Sequence, residues 1–345
     1  MMSRGLLTRR AVLAACSRFG ALGAAGAAIP ALWRLARAEA QTAVPTTGTQ
    51  VVLLGTQGGP NFNAVRNETS SALVVEGVVY LVDLGEGALG ALRKSGLDYR
   101  SIGRVFVTHL HDDHVADLAS FLTHQWTDGR VEPTVVMGPY GTARLVATAL
   151  DHTEANTAIR LVDEARKTKP SDIFRGEDLE ATPAPREVLR DDRVVVSSVE
   201  NTHFPEATKK RIPYRSLSYR FDTRGRSVVF SGDTAYSEGL VRLARGADVL
   251  VCEAMEVASM RKAFERMVAN GAYRDNPEGV WDHIVSTHTP TAVAGRMAEE
   301  AGVGLLVLTH LVPGALSDID DETYLAGVRE HFRGKAVVGK DLMVL

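Results

Sequence analysis

"THLHDDHVADL", residues 108–118, packs three histidines and two aspartates into positions 109–114, directly after the apolar run "RVFV". A short apolar run bounded by polar residues predicts a buried strand, so the cluster stands where that strand ends. Proton-accepting side chains cost solvation energy when buried without partners. Metal ions remove that cost, because each neutral imidazole or carboxylate then has a cation to coordinate. From a strand end and the loop after it, His109, His111, Asp113 and His114 can diverge around more than one ion.

The same arrangement recurs downstream. "VENTHF" ends an apolar run with His203, "VVFSGDT" with Asp233 and "LLVLTH" with His310. Ligand-type residues at several strand ends describe a loop-borne site on a rigid scaffold. A lone histidine is often only a satisfied polar group, so His203 draws its weight from the others.

Between these points the chain alternates strand and helix patterns. "TQVVLLGTQGG" predicts a strand ending in a glycine turn, and "SSALVVEGVVYLVDLGEG" a hairpin about Glu76-Gly77. "GALGALRKSG" is helical and stops at Gly96; "PTVVMGP" followed by "YGTARLVATALDH" is a strand and a helix. Residues 151–193, charged and carrying Pro170, Pro183 and Pro185, predict an irregular insertion or connection, and "KAVVGKDLMVL" a last strand. Each half has β-rich runs followed by βα steps, which predicts an α/β fold of two mixed sheets face to face with helices outside.

The N-terminus reads separately. "TRRAVL" precedes an Ala/Gly-rich stretch and small residues at "AEA" before Gln41, the pattern of an export signal over residues 1–40. The paired Arg9 and Arg10 favour twin-arginine export machinery, which carries folded, metal-loaded cargo to the periplasm or beyond. Arg18 and Arg34 interrupt the apolar run, so no stable membrane span is expected. Six of the 39 Lys+Arg and one of the 42 Asp+Glu lie there, leaving 33 against 41, or −8, for a single domain of residues 41–345. Such an acidic chain is a poor general binder of nucleic acid. Cys252 alone remains after residue 40, which excludes an internal disulfide.

Taken together, these residues resemble the metallo-β-lactamase-fold hydrolases, in the branch of ribonuclease Z and related arylsulfatase-like and phosphodiesterase-like enzymes. "HLHDDH" matches the family's HxHxDH; "LLGTQGGP", "RNETSSALV" and "LVDLGEGA" look like that branch's opening strands, and "FSGDT", "ADVLVCEA" and "LVLTH" like its later motifs. The likeness runs from about Thr49 to His310. It implies the αββα sandwich and a site for two divalent metal ions; imidazole and carboxylate donors without thiolate suit zinc and also accept manganese or iron. His109, His111 and His203 would hold one ion; Asp113, His114 and His310 the other; Asp233 would bridge them. Asp83 would orient a ligand histidine through its other ring nitrogen. Asp113 would also belong to the catalytic set, and Glu253 with His288, in "VCEAM" and "STHTP", would form a proton relay to the leaving group. His124, His152, His283 and His331 receive no role.

The pattern departs from ribonuclease Z at "PNFNAVRN" (60–67), where that enzyme has P-x-K-x-R-N, and it lacks a glycine-rich basic arm for gripping tRNA. The interval from Glu253 to His288 is long, and "VASMRKAFERMV" has helical spacing; with Tyr273 and Trp281, residues 254–287 form either an apolar lid over the metals or a packed surface helix. The resulting expectation is an exported hydrolase of a small-molecule ester, a phosphodiester or sulfate ester first, with tRNA not expected as a partner. The alternatives are a lactonase or β-lactamase-type hydrolase, a ribonuclease Z-like nuclease, or a binding or regulatory protein on the same scaffold.

Overall fold

The computed structural model describes residues 44–60 and 63–345; the export reading of residues 1–40 lies outside them. Ala43–Leu345 make one compact unit. Its first sheet is built from β1 (Thr49–Gly55), β2 (Ser70–Val75), β3 (Val78–Val82), β4 (Arg104–Phe106), β5 (Thr134–Pro139) and β6 (Phe174–Leu179), neighbouring one another in that order. Pairing is antiparallel through β3 and parallel from β3 to β6. The hairpin turns at Glu76 and Gly77, both at positive φ, as a two-residue loop between twisted strands demands.

The second sheet contains β7 (Arg186–Arg190), β8 (Val194–Glu200), β9 (Leu217–Thr223), β10 (Ser227–Phe230), β11 (Val249–Met255), β12 (Leu305–Val312) and β13 (Lys335–Val338), lying side by side from β7 to β13. It too begins antiparallel, through β10, and continues parallel. The expected α/β sandwich of two mixed sheets is therefore present.

Alternation along the strands separates the layers. In β1, Val51 and Leu53 face the second sheet, while Val52 and Leu54 face the helices. Between the sheets, the Phe106 ring meets those of Tyr219 and Phe221 edge-on at 5.3 and 5.1 Å. Outside the first sheet pack α1 (Ala88–Lys94), α2 (Leu118–Thr127) and α3 (Thr142–His152) through Leu92, Phe121 and Val146. α4 (Glu154–Asp163) follows with no buried residue. Outside the second sheet, α5 (Glu238–Ala244), α8 (Thr291–Ala301) and α9 (Asp321–Val328) contribute Leu240, Met297 and Val328. Each fully buried Val or Leu contributes about 1.5–3 kcal/mol relative to exposure, so these three apolar layers hold the scaffold rigid beneath the loops.

Two expectations are corrected, and one open choice is narrowed. Residues 151–193 are not an irregular connection: they supply α4, then β6 and β7, the edge strands of the two sheets. Most of their charged side chains are exposed or half-buried, because α4 buries no residue and an edge strand buries one face at most. The last strand breaks at Gly339, where a β-carbon would stand 2.6 Å from the Leu308 carbonyl; Leu345 then pairs with Val51 instead, Val51 N donating to Leu345 O at 3.0 Å. Finally, α6 (Val257–Ala269) and α7 (Pro277–Thr287) form a hairpin whose apolar side chains serve the hairpin itself. Phe264 stacks on Tyr273 at 5.5 Å and meets Trp281 at 5.3 Å, over buried Met255, Met260 and Val312. Of the two readings kept open for residues 254–287, these contacts are those of the packed helix pair.

Candidate metal centre

All seven sequence-predicted donors converge at one end of the sandwich. His109 and His111 leave β4, and the single helical turn Asp112–Val115 carries Asp113 and His114. His203 follows β8 and Asp233 follows β10. His310 differs from the expected strand terminus: it sits inside β12 as the extra residue of a bulge, since Glu253 pairs with Thr309 but Ala254 pairs with Leu311. Its φ of 42 is unusual for a non-glycine residue and turns the imidazole into the site.

Two groups of donor atoms result, each lying within 4.8 Å of one another: His109, His111 and His203; and Asp113, His114, Asp233 and His310. His111 Nδ1 is 3.0 Å from His109 Nε2 and 3.2 Å from His203 Nε2. Asp233 joins the groups, its oxygens 3.2 Å from His114 Nε2, 3.2 Å from His310 Nε2 and 3.9 Å from His109 Nε2. Four of the five imidazoles and both carboxylates are buried, with His111 half-buried. His114 Nε2, Asp233 Oδ1 and His310 Nδ1 are buried without any hydrogen-bond partner. Orphaned polar atoms of this kind are rare in native proteins, and a cation among them would satisfy them. The donor set of imidazole and carboxylate fits metal ions of the zinc type, whereas the buried Cys252 packs away among the helices of the second sheet.

Electrostatics point the same way. Burial holds His109 and His203 well below the usual imidazole range, leaving neutral ligands. Burial also opposes protonation of His310, but Asp233 and Asp113 outweigh it and raise that imidazole to about 10. The cluster therefore attracts positive charge strongly.

Behind the donors stand residues that orient them. Asp83, at positive φ directly after β3, takes the Thr108 backbone N–H at 2.7 Å and its hydroxyl at 2.9 Å, and lies 2.9 Å from His114 Nδ1. This is the contact expected of it, and it directs His114 Nε2 at the donor group. Gly85, two residues on, is required for close approach: a β-carbon there would fall 2.2 Å from the Asp113 carbonyl oxygen. His203 Nδ1 is likewise held, donating to the Thr287 carbonyl at 3.2 Å.

Glu253 and His288 also meet. His288 Nδ1 lies 2.8 Å from Glu253 Oε2, while the Thr234 backbone N–H donates to Glu253 Oε1. His288 Nδ1 is 3.8 Å from Asp233, so the pair abuts the donors. Glu253, His288, Asp233 and His310 form a third close group, yet both Glu253 oxygens are already engaged. Burial lowers the His288 imidazole, but Glu253 and Asp233 raise it more, so the net shift is upward.

One residue was missed. His283, assigned no role from sequence, comes within 5.5, 5.7 and 6.1 Å of the His203, His288 and His111 rings, centre to centre. Its only available signal was its place five residues before His288, on a helix whose apolar positions faced elsewhere. Arg66 is half-buried and partly engaged within the protein: its Nη1 donates to Thr56 Oγ1 at 2.7 Å and the Gly339 carbonyl at 3.0 Å.

The family model described as "Beta-lactamase superfamily domain" matches residues 79–311. Ribonuclease Z of Mycobacterium avium is 31% identical over 296 residues, spanning 85% of this chain and 96% of its own. Among solved structures, human tRNase Z, short form, superposes with a TM-score of 0.60 at 23% identity, covering 86% of this chain and 98% of that one. The metallo-β-lactamase fold protein YhfI of Bacillus subtilis gives 0.60 at 19% identity, with 86% and 99% covered. With the sandwich and the donor cluster at its end, these likenesses decide the matter: the chain belongs to the β-lactamase superfamily in its metallo-β-lactamase fold, and it is a metal-dependent hydrolase acting on ester bonds.

Proposed function

We propose that the protein hydrolyses phosphodiester bonds in RNA, with two divalent cations, zinc by donor type, shared through Asp233. The choice of bond rests on the ribonuclease Z relatives, whose length this chain spans almost completely. It places the nuclease reading ahead of the small-molecule ester that composition favoured. His109, His111 and His203 would hold one ion, and Asp113, His114 and His310 the other. When bound, such a pair supplies Lewis acidity toward a phosphoryl oxygen and lowers the pKa of water.

The chain's own residues do the rest. Asp83 and Thr108 fix His114, and the Thr287 carbonyl fixes His203, so the donors are preorganised on strand ends. Glu253, anchored by the Thr234 N–H, holds His288 Nδ1 and leaves Nε2 to deliver a proton to the departing oxygen. A second reading, a small organic phosphodiester or sulfate ester, is favoured by the net charge of −8 after residue 40 and by the internal engagement of Arg66.

Metal-loaded protein should cleave an RNA oligonucleotide and bis(p-nitrophenyl) phosphate, and lose both activities on chelation. Cleavage of the small diester alone would favour the second reading. Turnover confined to p-nitrophenyl sulfate or a lactone would overturn the phosphodiester assignment, and a tRNA precursor belongs in the same panel. Export by the twin-arginine route is part of the proposal. Arg9→Lys with Arg10→Lys should retain the precursor in the cytoplasm, and the exported form should begin near Gln41; unchanged export of the double variant contradicts the route.

A further inference from the structure

α7 has two faces with separate duties. Trp281 and Ile284 pack into the apolar cluster of the hairpin, whereas His283 and Thr287, one helical turn apart, meet the histidines of the metal centre. His283 is half-buried, as is His111 beside it, while the other donors are buried, so the centre opens to solvent on this side.

The local hydrogen bonds fix the tautomer of His283. The Thr287 hydroxyl has one hydrogen, and it donates that hydrogen back to the His283 carbonyl at 2.8 Å. The contact of 3.3 Å between Thr287 Oγ1 and His283 Nδ1 must then run the other way, Nδ1–H donating to the oxygen lone pair. A neutral imidazole protonated at Nδ1 carries a bare lone pair on Nε2, the nitrogen farthest from the backbone. Among the described residues no side chain or backbone group bonds that nitrogen. An acceptor at the mouth of a phosphodiesterase site has no use for a phosphoryl oxygen, which is an acceptor itself. A substrate group that matches it is a donor carried next to the scissile linkage, and in RNA the nearest is the ribose 2′-hydroxyl.

We propose that His283 is a specificity residue: its Nε2 accepts a hydrogen bond from a substrate hydroxyl adjoining the scissile phosphodiester, so that the site selects ribose over deoxyribose esters. The inference rests on the phosphodiester reading above. Thr287 acts through His283 as a positioning residue, keeping the proton on Nδ1.

The test compares an RNA oligonucleotide with the same strand carrying 2′-deoxyribose at the scissile linkage, using the full metal-loaded chain. The readout is the ratio of the two kcat/KM values, with metal content measured on the same preparations. Wild type should favour the ribo strand by about tenfold, the scale of one well-placed hydrogen bond. His283→Ala should collapse the ratio to about one with both ions retained. His283→Gln should restore part of it, because the carboxamide oxygen can accept where Nε2 did. An unchanged ratio in His283→Ala overturns the proposal, as does loss of an ion, which would make His283 a ligand. Wild type cleaving both strands equally also overturns it while sparing the phosphodiester reading. Failure on both strands and on bis(p-nitrophenyl) phosphate removes that reading, and this inference with it.

Discussion

Asp233→Ala is expected to abolish turnover, lowering kcat by about a thousandfold or more, while the fold persists. Among the described residues Asp233 is the carboxylate whose oxygens lie between the two donor groups, 3.2 Å from His114 and from His310 and 3.9 Å from His109. On the proposed two-ion reading its removal would take away the one side chain that would contact both, and a two-metal centre works only when both ions are placed. The scaffold does not depend on it: the three apolar layers lie below the loop that carries Asp233. Circular dichroism should therefore be near native while metal analysis shows a deficit. Asp233→Asn, which keeps the shape but not the charge, should fall on the same side. Substantial activity in either variant would mean that Asp233 is not shared.

His288→Ala carries the second large effect, and it depends on the leaving group. Held through Nδ1 by Glu253 Oε2 at 2.8 Å, His288 offers Nε2 as the proton donor to the departing oxygen. A ribose alkoxide is strongly basic, and general acid catalysis there is worth about 10²–10⁴-fold. p-Nitrophenolate delocalises its charge, so the same variant should cost far less on bis(p-nitrophenyl) phosphate. Glu253→Gln should weaken the same discrimination, since it loosens the hold on His288. Equal losses on the two esters at full metal content would assign His288 to shaping the pocket; loss of an ion would make it a ligand.

Most of the donors were legible because they sit at or just after the point where an apolar run stops, visible in one dimension as a switch from Val, Phe and Leu to His or Asp. Asp83 was legible for the same reason, directly after "YLV". Local patterning could not show the bulge that turns His310 inward, because it depends on how β12 registers against β11. Residues 151–193 looked irregular since edge strands such as β6 and β7 bury one face at most and need little apolar patterning. His283 was invisible for a related reason: α7 spends its apolar residues on α6, and one histidine between Asp282 and Ile284 carries no pattern of its own. Substrate was the least legible of all, because fold and metal donors recur across chemistries while selectivity lies in a few rim residues.

The central claim is a centre for two ions. Metal-free protein titrated with zinc in a calorimeter, and checked by elemental analysis after dialysis, should take up close to two equivalents per chain, with activity appearing only as the second is bound. A stoichiometry that stops at one and still supports full turnover would contradict the account.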